Sequence, residues 1–130
     1  MPEQADAAVG GISIHCVDIA RGIPAEGLQI RLWRVAETRE LIASGSCSAS
    51  GVLPHSDQDG QGIIAGLYEV EFDVAKYYRA ASVAVPNPAF METAIYRFGI
   101  EHLAEHFHLP FKFTPWGFSL FRGGACPPCF

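Results

Sequence analysis

Two histidines stand in strand-like segments near opposite ends of this 130-residue chain. His15 lies within ISIHCVD (12–18), and His108 lies within FHLPFKF (107–113). Because a strand alternates its side chains between two faces, each histidine is predicted on the face opposite its apolar neighbours. An imidazole, with an ordinary pKa of ~6.5, suits proton transfer near neutral pH. The pattern indicates a paired acid–base site, although each histidine alone also fits an ordinary surface position.

Arg122 lies near the end of the last predicted strand, directly before Gly123 and Gly124. Its planar guanidinium presents a fork of donors that suits an anionic or amide-rich ligand. The same position also fits an arginine that solvates the edge of a sheet. The residues alone leave both interpretations open.

Three histidines near the C-terminal end have spacings that metal sites use, an HxxxH followed by an HxH. The acids beside them, Glu101 and Glu105, are ordinary loop residues, and histidines on different local geometries rarely converge. We therefore expect no metal site and no cofactor. The three histidines concerned are His102, His106 and His108.

The last residues contain a CxxC, formed by Cys126 and Cys129 around a proline pair. In a polyproline II conformation three residues rise by ~9 Å, which exceeds the ~7 Å limit between the Cα atoms of a disulfide. A turn or a cis bond would close that gap. We expect residues 125–130 to be a flexible surface tail, with soft-metal binding or intermolecular disulfides as alternatives.

The elements that must position these residues are short strands with alternating apolar side chains. One short helix is predicted over VAKYYRAA (74–81), with Asp73 as its N-cap. The chain has no βαβ alternation and no internal repeat, so the pattern predicts an all-β sandwich of two sheets. The strands are expected at 12–18, 28–35, 41–47, 67–72, 94–100, 107–113 and 115–123, with one further uncertain strand within 48–62.

Composition limits the classes of partner. The net charge is −5, with only two lysines, so the chain lacks the basic surface of a nucleic-acid binder. No apolar run approaches the ~20 residues that span a bilayer. A charged fraction of 18% is low for a small monomer and suggests self-association. Residues 1–11 resemble a flexible arm and not a signal peptide, so we expect a cytoplasmic protein whose cysteines are free thiols.

The motifs together resemble the transthyretin-like family, and in particular its 5-hydroxyisourate hydrolases. The resemblance implies a β-sandwich of two four-stranded sheets with one short helix over residues 12–124. It also implies a homotetramer, a dimer of dimers whose active sites lie in a channel between the dimers. The segments that carry it are ISIHCVDIARGIPAEGLQIRLWR, YEVEFDVAKYYRA, VPNPAF, IYRFGI and HFHLPFKFTPWGFSLFRGG.

Not every site residue of the family is present. The resemblance assigns the two catalytic histidines to His15 and His108. It places Val52, within Ser-Gly-Val, where the family has an arginine. The family's closing Tyr-Arg-Gly-Ser is also altered, since a phenylalanine replaces the tyrosine and a glycine replaces the serine. The implied substrate-binding residues are therefore Val52, Phe121, Arg122 and Gly124.

These residues leave three hypotheses for function. The first is hydrolysis of a cyclic amide in purine breakdown, in which one histidine activates water and the other assists the leaving nitrogen. Loss of one preorganised donor such as the arginine costs ~10²–10³ in rate, and His55 is a candidate substitute for it. The second is a different reaction on a small heterocycle in a biosynthetic pathway. The third is a non-enzymatic carrier of small ligands, which the apolar Val52 and Phe121 favour.

Overall fold

The described residues form a sandwich of two four-stranded sheets with one short helix, which confirms the predicted fold class. The structure is a computed structural model, and it describes residues 10–54 and 63–124. One sheet has the strand order β2-β1-β7-β8, and the other has the order β4-β3-β5-β6. The strands are β1 (Ile12–Asp18), β2 (Ile23–Pro24), β3 (Gln29–Val35), β4 (Arg39–Ser46), β5 (Gly66–Phe72), β6 (Ala94–Ile100), β7 (Phe107–Thr114) and β8 (Gly117–Leu120), and the helix α1 is Val74–Ala80.

The core lies between the sheets and consists of the apolar side chains that alternation predicted. Phe72 of β5 stacks on Phe111 of β7, with ring centroids 3.7 Å apart, so the contact joins one sheet to the other. Burial of such side chains is the main stabilising contribution in a domain of this size. The fully buried set includes Ile12, Ile14, Cys16, Ile30, Leu32, Tyr68, Val70, Phe72, Phe111 and Phe113.

Strands β1 and β7, which are far apart in the sequence, meet at the centre of one sheet. β1 and β7 are its inner strands, and they pair in parallel. The register places Ser13 opposite His108 and His15 opposite Pro110. Because Ile12, Ile14 and Cys16 take the core face, the outer face of this sheet carries Ser13 and His15 on β1 and His108 on β7.

A buried carboxylate fastens the end of β1 to helix α1. Asp18 is fully buried and accepts hydrogen bonds from Tyr78 Oη at 2.7 Å, Tyr77 Oη at 3.0 Å and Arg21 Nε at 2.8 Å. Burial alone would raise the pKa of Asp18, but the bonds from Tyr78, Arg21 and Tyr77 outweigh burial and lower it. The carboxylate is therefore a charged, fully paired structural group.

Asp73 precedes helix α1 as predicted, but its side chain does not cap the helix. Both carboxylate oxygens instead accept hydrogen bonds from the Arg31 guanidinium, each at 2.8 Å. A bidentate, charge-assisted pair is stronger than a single cap bond, and Arg31 on the neighbouring strand β3 is within its reach. The predicted N-cap position of Asp73 is therefore confirmed, but its side chain makes no cap hydrogen bond.

Several boundary predictions fall partly outside the described residues. The arm was predicted over 1–11, yet Gly10 N–H donates to Leu103 O at 2.7 Å and Gly11 O accepts from Phe107 N–H at 2.9 Å. In the structure the domain therefore includes these two glycines. Residues 1–9 and the predicted tail 125–130, with Cys126 and Cys129, lie outside the described part.

Two further observations concern the described residues. Cys16 and Cys47 are buried free thiols, as expected, and burial raises the pKa of Cys16. No helix in the described ranges is long and apolar enough to cross a membrane.

Candidate active site

His108 is held on the outer face of the sheet by a serine of the neighbouring strand. Ser13 Oγ lies 2.7 Å from His108 Nδ1 and 2.7 Å from His106 Nε2. His106 Nδ1 in turn lies 2.6 Å from the carbonyl oxygen of Gly10. Burial lowers the pKa of His108 below its ordinary value, and the nearby imidazoles of His106 and His15 lower it further. The His108 ring is therefore neutral at pH 7 and suited to accept a proton.

His15 lies on the same outer face, two residues beyond Ser13 along β1. Strand spacing and rise put its Cα about 8 Å from that of His108, across the diagonal of the parallel pair. Its Nε2 donates to the carbonyl oxygen of Ser50 at 3.2 Å. Since both rings are half-buried on one face, one small planar molecule is able to contact the two imidazoles at once.

Val52 lies directly across from His15. The two residues form an isolated antiparallel bridge on the side of β1 away from β7. The flanking backbone bonds define a non-hydrogen-bonded pair, in which the Cα atoms approach to about 4.5 Å and the side chains share a face. The position to which the resemblance assigns the family's arginine is thus adjacent to His15. In the two backbone hydrogen bonds that flank the bridge, Cys16 N–H donates to Gly51 O at 2.8 Å and Leu53 N–H donates to Ile14 O at 3.2 Å.

Gly51 allows this segment to approach β1 so closely. Its φ of 83° lies in the left-handed region, and a Cβ there would come within 2.5 Å of Cys16 O. An uncertain strand was predicted within 48–62, and in the described part of that range the structure has only this single bridge. His55, the candidate substitute for the arginine, lies outside the described residues.

The segment after β8 returns alongside the start of β7. Gly123 N–H donates to the carbonyl oxygen of His108 at 2.8 Å. Phe121 is 47% exposed, and its ring centroid lies 5.8 Å from Nζ of Lys112, which shares the outer face of β7 with His108. Gly124 follows at the surface with a φ of 74°. Phe121 thus lies at the edge of the face that carries the histidines.

Arg122 occupies a different position from the other predicted site residues. Its guanidinium stacks 3.9 Å from the ring centroid of Phe107, whose side chain leaves β7 on the face opposite His108. It donates to Glu105 Oε1 at 2.9 Å and to His106 O at 3.2 Å. Arg122 and Phe107 line a cavity of about 150 Å³ together with four other residues. The other four are Tyr96, Phe98, Gly99 and Leu109.

One face of the sheet therefore carries His15, His108, Val52 and Phe121. The Arg122 guanidinium lies on the opposite face, against the Phe107 ring. Among residues 10–54 and 63–124, no group of three or more His, Cys, Asp or Glu side chains is arranged to hold a metal ion. His102 contacts Glu101 at 3.5 Å and does not converge with the other histidines.

Sequence reasoning did not identify Ser13 and His106 as partners of His108. Alternation predicted Ser13 on the face of His15 and His106 on the face of His108, and His106 was also considered as a metal ligand. The signal that relates them is the pair of patterns Ser-x-His and His-x-His on two strands. Its meaning depends on the parallel register, which neither segment specifies alone.

The match to a family model decides the wider relationship. The model described as the HIUase/Transthyretin family matches residues 12–123. The chain belongs to this family. It is 37% identical over 115 residues to 5-hydroxyisourate hydrolase 2 of Rhizobium meliloti, with 88% of this chain and 96% of that protein covered. It is 34% identical to the 5-hydroxyisourate hydrolase of Ralstonia nicotianae, with 88% and 99% covered.

Two solved structures are similar in fold. The 5-hydroxyisourate hydrolase of Klebsiella pneumoniae superposes with a TM-score of 0.71 and 29% identity, and the match covers 88% of this chain and 94% of that one. An (S)-allantoin synthase superposes with a TM-score of 0.84 and 29% identity. The match covers 92% of this chain but only 45% of the synthase.

Proposed function

We propose that the protein is a 5-hydroxyisourate hydrolase of purine (urate) breakdown, which hydrolyses a cyclic amide C–N bond. The observation that carries the proposal is the placement of His15 and His108 on one outer sheet face, within a chain that belongs to the HIUase/Transthyretin family. Two relatives that match almost along their full length bear the name 5-hydroxyisourate hydrolase.

The two imidazoles divide the proton transfers. His108 is neutral because its pKa is lowered, so it accepts a proton from water as the oxygen attacks the carbonyl carbon. His15 supplies a proton to the ring nitrogen as the C–N bond breaks. One C–O bond forms, one C–N bond breaks, and a proton passed from His108 to His15 through solvent restores both rings. The proposed reaction therefore needs no metal or cofactor.

The remaining predicted residues shape the substrate site in this proposal. Val52 beside His15 and Phe121 at the opposite margin supply apolar surface to a planar ring, and Gly124 leaves the end of the segment open. The Arg122 guanidinium holds the segment before β7 by donating hydrogen bonds to Glu105 Oε1 and His106 O. Because Val52 cannot donate a hydrogen bond to a developing oxyanion, we expect turnover about 10²–10³ slower than in a relative that has an arginine there.

The apolar margins also favour a second candidate function. A face lined by Val52 and Phe121, 39% and 47% exposed, suits a small heterocycle other than hydroxyisourate. The protein would then catalyse another reaction on it or carry it without reaction. Tight binding of hydroxyisourate analogues without any turnover of hydroxyisourate would support this candidate over the hydrolase.

The hydrolase proposal is tested by direct assay. Hydroxyisourate is generated in situ from urate by urate oxidase, and its absorbance decay is followed with and without micromolar protein. The Rhizobium meliloti relative is the active control. We expect accelerated decay that His15→Ala and His108→Ala abolish and that His102→Ala, a change at a largely exposed loop histidine, leaves intact. No acceleration by the wild-type protein would overturn the hydrolase proposal.

We further propose that the chain assembles as a homotetramer, a dimer of dimers. The support is the exposed apolar surface on two of the edge strands, β6 and β8, and on the turn before β8, where Ile95, Trp116 and Phe118 are 54%, 61% and 41% exposed. Val52 and Phe121 beside the site would be covered by the second dimer. Light scattering should give four times the chain mass, and a monomeric or dimeric mass would refute the assembly.

A cytoplasmic location is also part of the proposal. Cys16 and Cys47 are buried free thiols, which is typical of a reducing compartment. Fractionation of the native cells with an antibody should place the protein in the cytoplasmic fraction, and recovery from the periplasm or medium would contradict this.

A further inference from the structure

A chain of three hydrogen bonds leads away from His108 through its Nδ1 atom. His108 Nδ1 and Ser13 Oγ are 2.7 Å apart, Ser13 Oγ and His106 Nε2 are 2.7 Å apart, and His106 Nδ1 lies 2.6 Å from Gly10 O. The four groups come from the segment before β1, from β1 itself, and from the two histidines of the His-Phe-His motif at 106–108. No hydrogen bond to His108 Nε2 is made by the described residues.

The chemistry of the end groups determines the direction of this chain. A backbone carbonyl oxygen only accepts, so His106 Nδ1 must carry the hydrogen it donates to Gly10. In the neutral ring of His106, Nε2 is then an acceptor, and the Ser13 hydroxyl must donate to it. The Ser13 oxygen consequently accepts from His108, so His108 Nδ1 carries a hydrogen. The lone pair of neutral His108 is left on Nε2.

We propose that Ser13 and His106 are positioning residues that hold His108 in the Nδ1–H tautomer, so that Nε2 is the proton acceptor. The tautomer itself follows from the hydrogen-bond chain, whereas its catalytic consequence rests on the proposed hydrolase function. Neither residue touches the substrate in this arrangement. They act through His108 by fixing both the ring orientation and the nitrogen that accepts the proton.

The acceptor at the far end of the chain is itself rigidly held. Gly10 N–H donates to Leu103 O at 2.7 Å, and a Cβ at Gly10 would overlap the backbone of Glu105 and His106. The Gly10 carbonyl therefore keeps one direction relative to His106. This close approach explains why a glycine precedes β1 at this point.

Other titratable and charged groups also surround His108. His15 faces it from β1 and His106 from its own strand end, and both lower its pKa after burial. Lys112 lies on the same face of β7, and Arg122 bonds to the carbonyl of His106 on the far side. Because these groups remain in every variant at position 13, a change of rate on altering Ser13 reports the hydrogen-bond chain and not a change of neighbouring charge.

The first experiment measures the tautomer directly. Nitrogen-15 NMR of the histidine rings in the intact protein, with His108 assigned by its absence in His108→Gln, distinguishes Nδ1–H from Nε2–H. We expect Nδ1–H in the wild-type protein and in Ser13→Thr, which keeps the hydroxyl. We expect loss of that preference in Ser13→Ala. An Nε2–H signal for wild-type His108 would overturn the proposal, whatever the protein's activity.

The second experiment measures the catalytic consequence on hydroxyisourate. Ser13→Ala should lower kcat about 10²-fold with KM within about twofold, because the wrong tautomer removes the base without altering binding. Ser13→Thr should recover most of kcat. A smaller loss is expected for His106→Ala, since the Ser13 hydroxyl can then either accept from His108 Nδ1 or donate to it, so the Nδ1–H tautomer is only partly lost. Equal rates in the alanine and threonine variants at position 13, with both folded by thermal melting, would refute the positioning role.

The two experiments separate the proposal from the function on which it rests. If wild-type protein does not accelerate hydroxyisourate decay but His108 is in the Nδ1–H form, the hydrolase function fails and the hydrogen-bond chain stands. If it hydrolyses hydroxyisourate and Ser13→Ala leaves both kcat and the tautomer unchanged, the hydrolase stands and the positioning role fails.

Discussion

Two polar clusters on strand β1 differ in whether all of their hydrogen-bonding groups have a partner within the described residues. At the end of the strand, Asp18 is fully buried, and its two oxygens accept bonds from two tyrosines and an arginine. At the start of the strand, Ser13 ties His108 at Nδ1 only. The hydrogen bonds of the first cluster hold helix α1 to the end of β1. In the second cluster, His108 Nε2 has no hydrogen bond from the described residues, so in the proposed function it is available to the reactant.

The difference teaches how to separate structural from functional polar groups in this fold. Burial lowers the pKa of His108 and so keeps it uncharged, whereas hydrogen bonds outweigh burial at Asp18 and keep it charged. A group that is fully paired contributes to stability. A group that is partly paired, oriented and half-exposed is ready for proton transfer.

The largest expected effect comes from removing the functional member of the pair. His108→Ala should lower kcat/KM for hydroxyisourate by about 10³ or more, because the proposed base is lost. Its thermal midpoint should stay close to wild type, since the ring is only half-buried. Activity is measured by absorbance decay and stability by calorimetry. A full loss of folding with this variant would contradict the contrast between the clusters.

The opposite result is expected for the structural member. Asp18→Asn should destabilise the fold by about 3 kcal/mol, because the single amide oxygen of asparagine cannot accept from all four donor groups of the two tyrosines and Arg21, so buried groups are left unpaired. Urea unfolding monitored by tryptophan fluorescence measures this change. Activity per folded molecule should be retained. As a matched control, Glu26→Gln on the exposed β2–β3 connection should change stability by less than about 0.5 kcal/mol.

A gain of function is the next largest effect. Val52→Arg places a guanidinium opposite His15 and should raise kcat/KM for hydroxyisourate by about tenfold to 10²-fold, short of the full contribution of a preorganised donor. Val52→Leu is the size control and should show no gain. If the arginine variant is no faster while it remains folded, the absence of the family arginine does not explain the activity of this chain.

The smallest effect concerns pH. Because the pKa of His108 is lowered in the folded chain, the acid limb of kcat/KM should fall at a pH below the ordinary histidine value of about 6.5. The same shift removes stability as the pH falls from about 6.5 toward the native pKa, since the unfolded chain binds the proton more tightly. The pH dependence of both quantities, compared between wild type and His108→Gln, tests this. An acid limb above the ordinary histidine value would contradict it.

Local sequence patterns predicted much of the fold. Alternation in ISIHCVD and LYEVEF identified strands and their buried faces, because a period of two needs no tertiary information. The same rule placed His15 and His108 on exposed faces. Together with the absence of βαβ alternation, these patterns predicted a sandwich of two sheets. The family resemblance added the number of four strands in each sheet and the assignment of the site positions, and the match over residues 12–123 bears out the family.

Other features required contacts between distant segments. The Asp73 side chain was predicted to cap α1 and instead pairs with Arg31, which lies 42 positions away along the chain. Arg122, grouped with the site from its place in FRGG, stacks on Phe107 on the opposite face of β7. In both cases a nearby charged or aromatic partner, absent from the local pattern, determines where the side chain lies.

The sequence by itself determined which residues alternate into the core and which imidazoles are available for chemistry, because strand geometry and side-chain chemistry are local properties. Only the tertiary structure decided that β1 and β7 pair in parallel with Ser13 opposite His108 and Val52 opposite His15. Strand register depends on non-local hydrogen bonds and on the packing of two sheets together. The tautomer of His108 follows from that register.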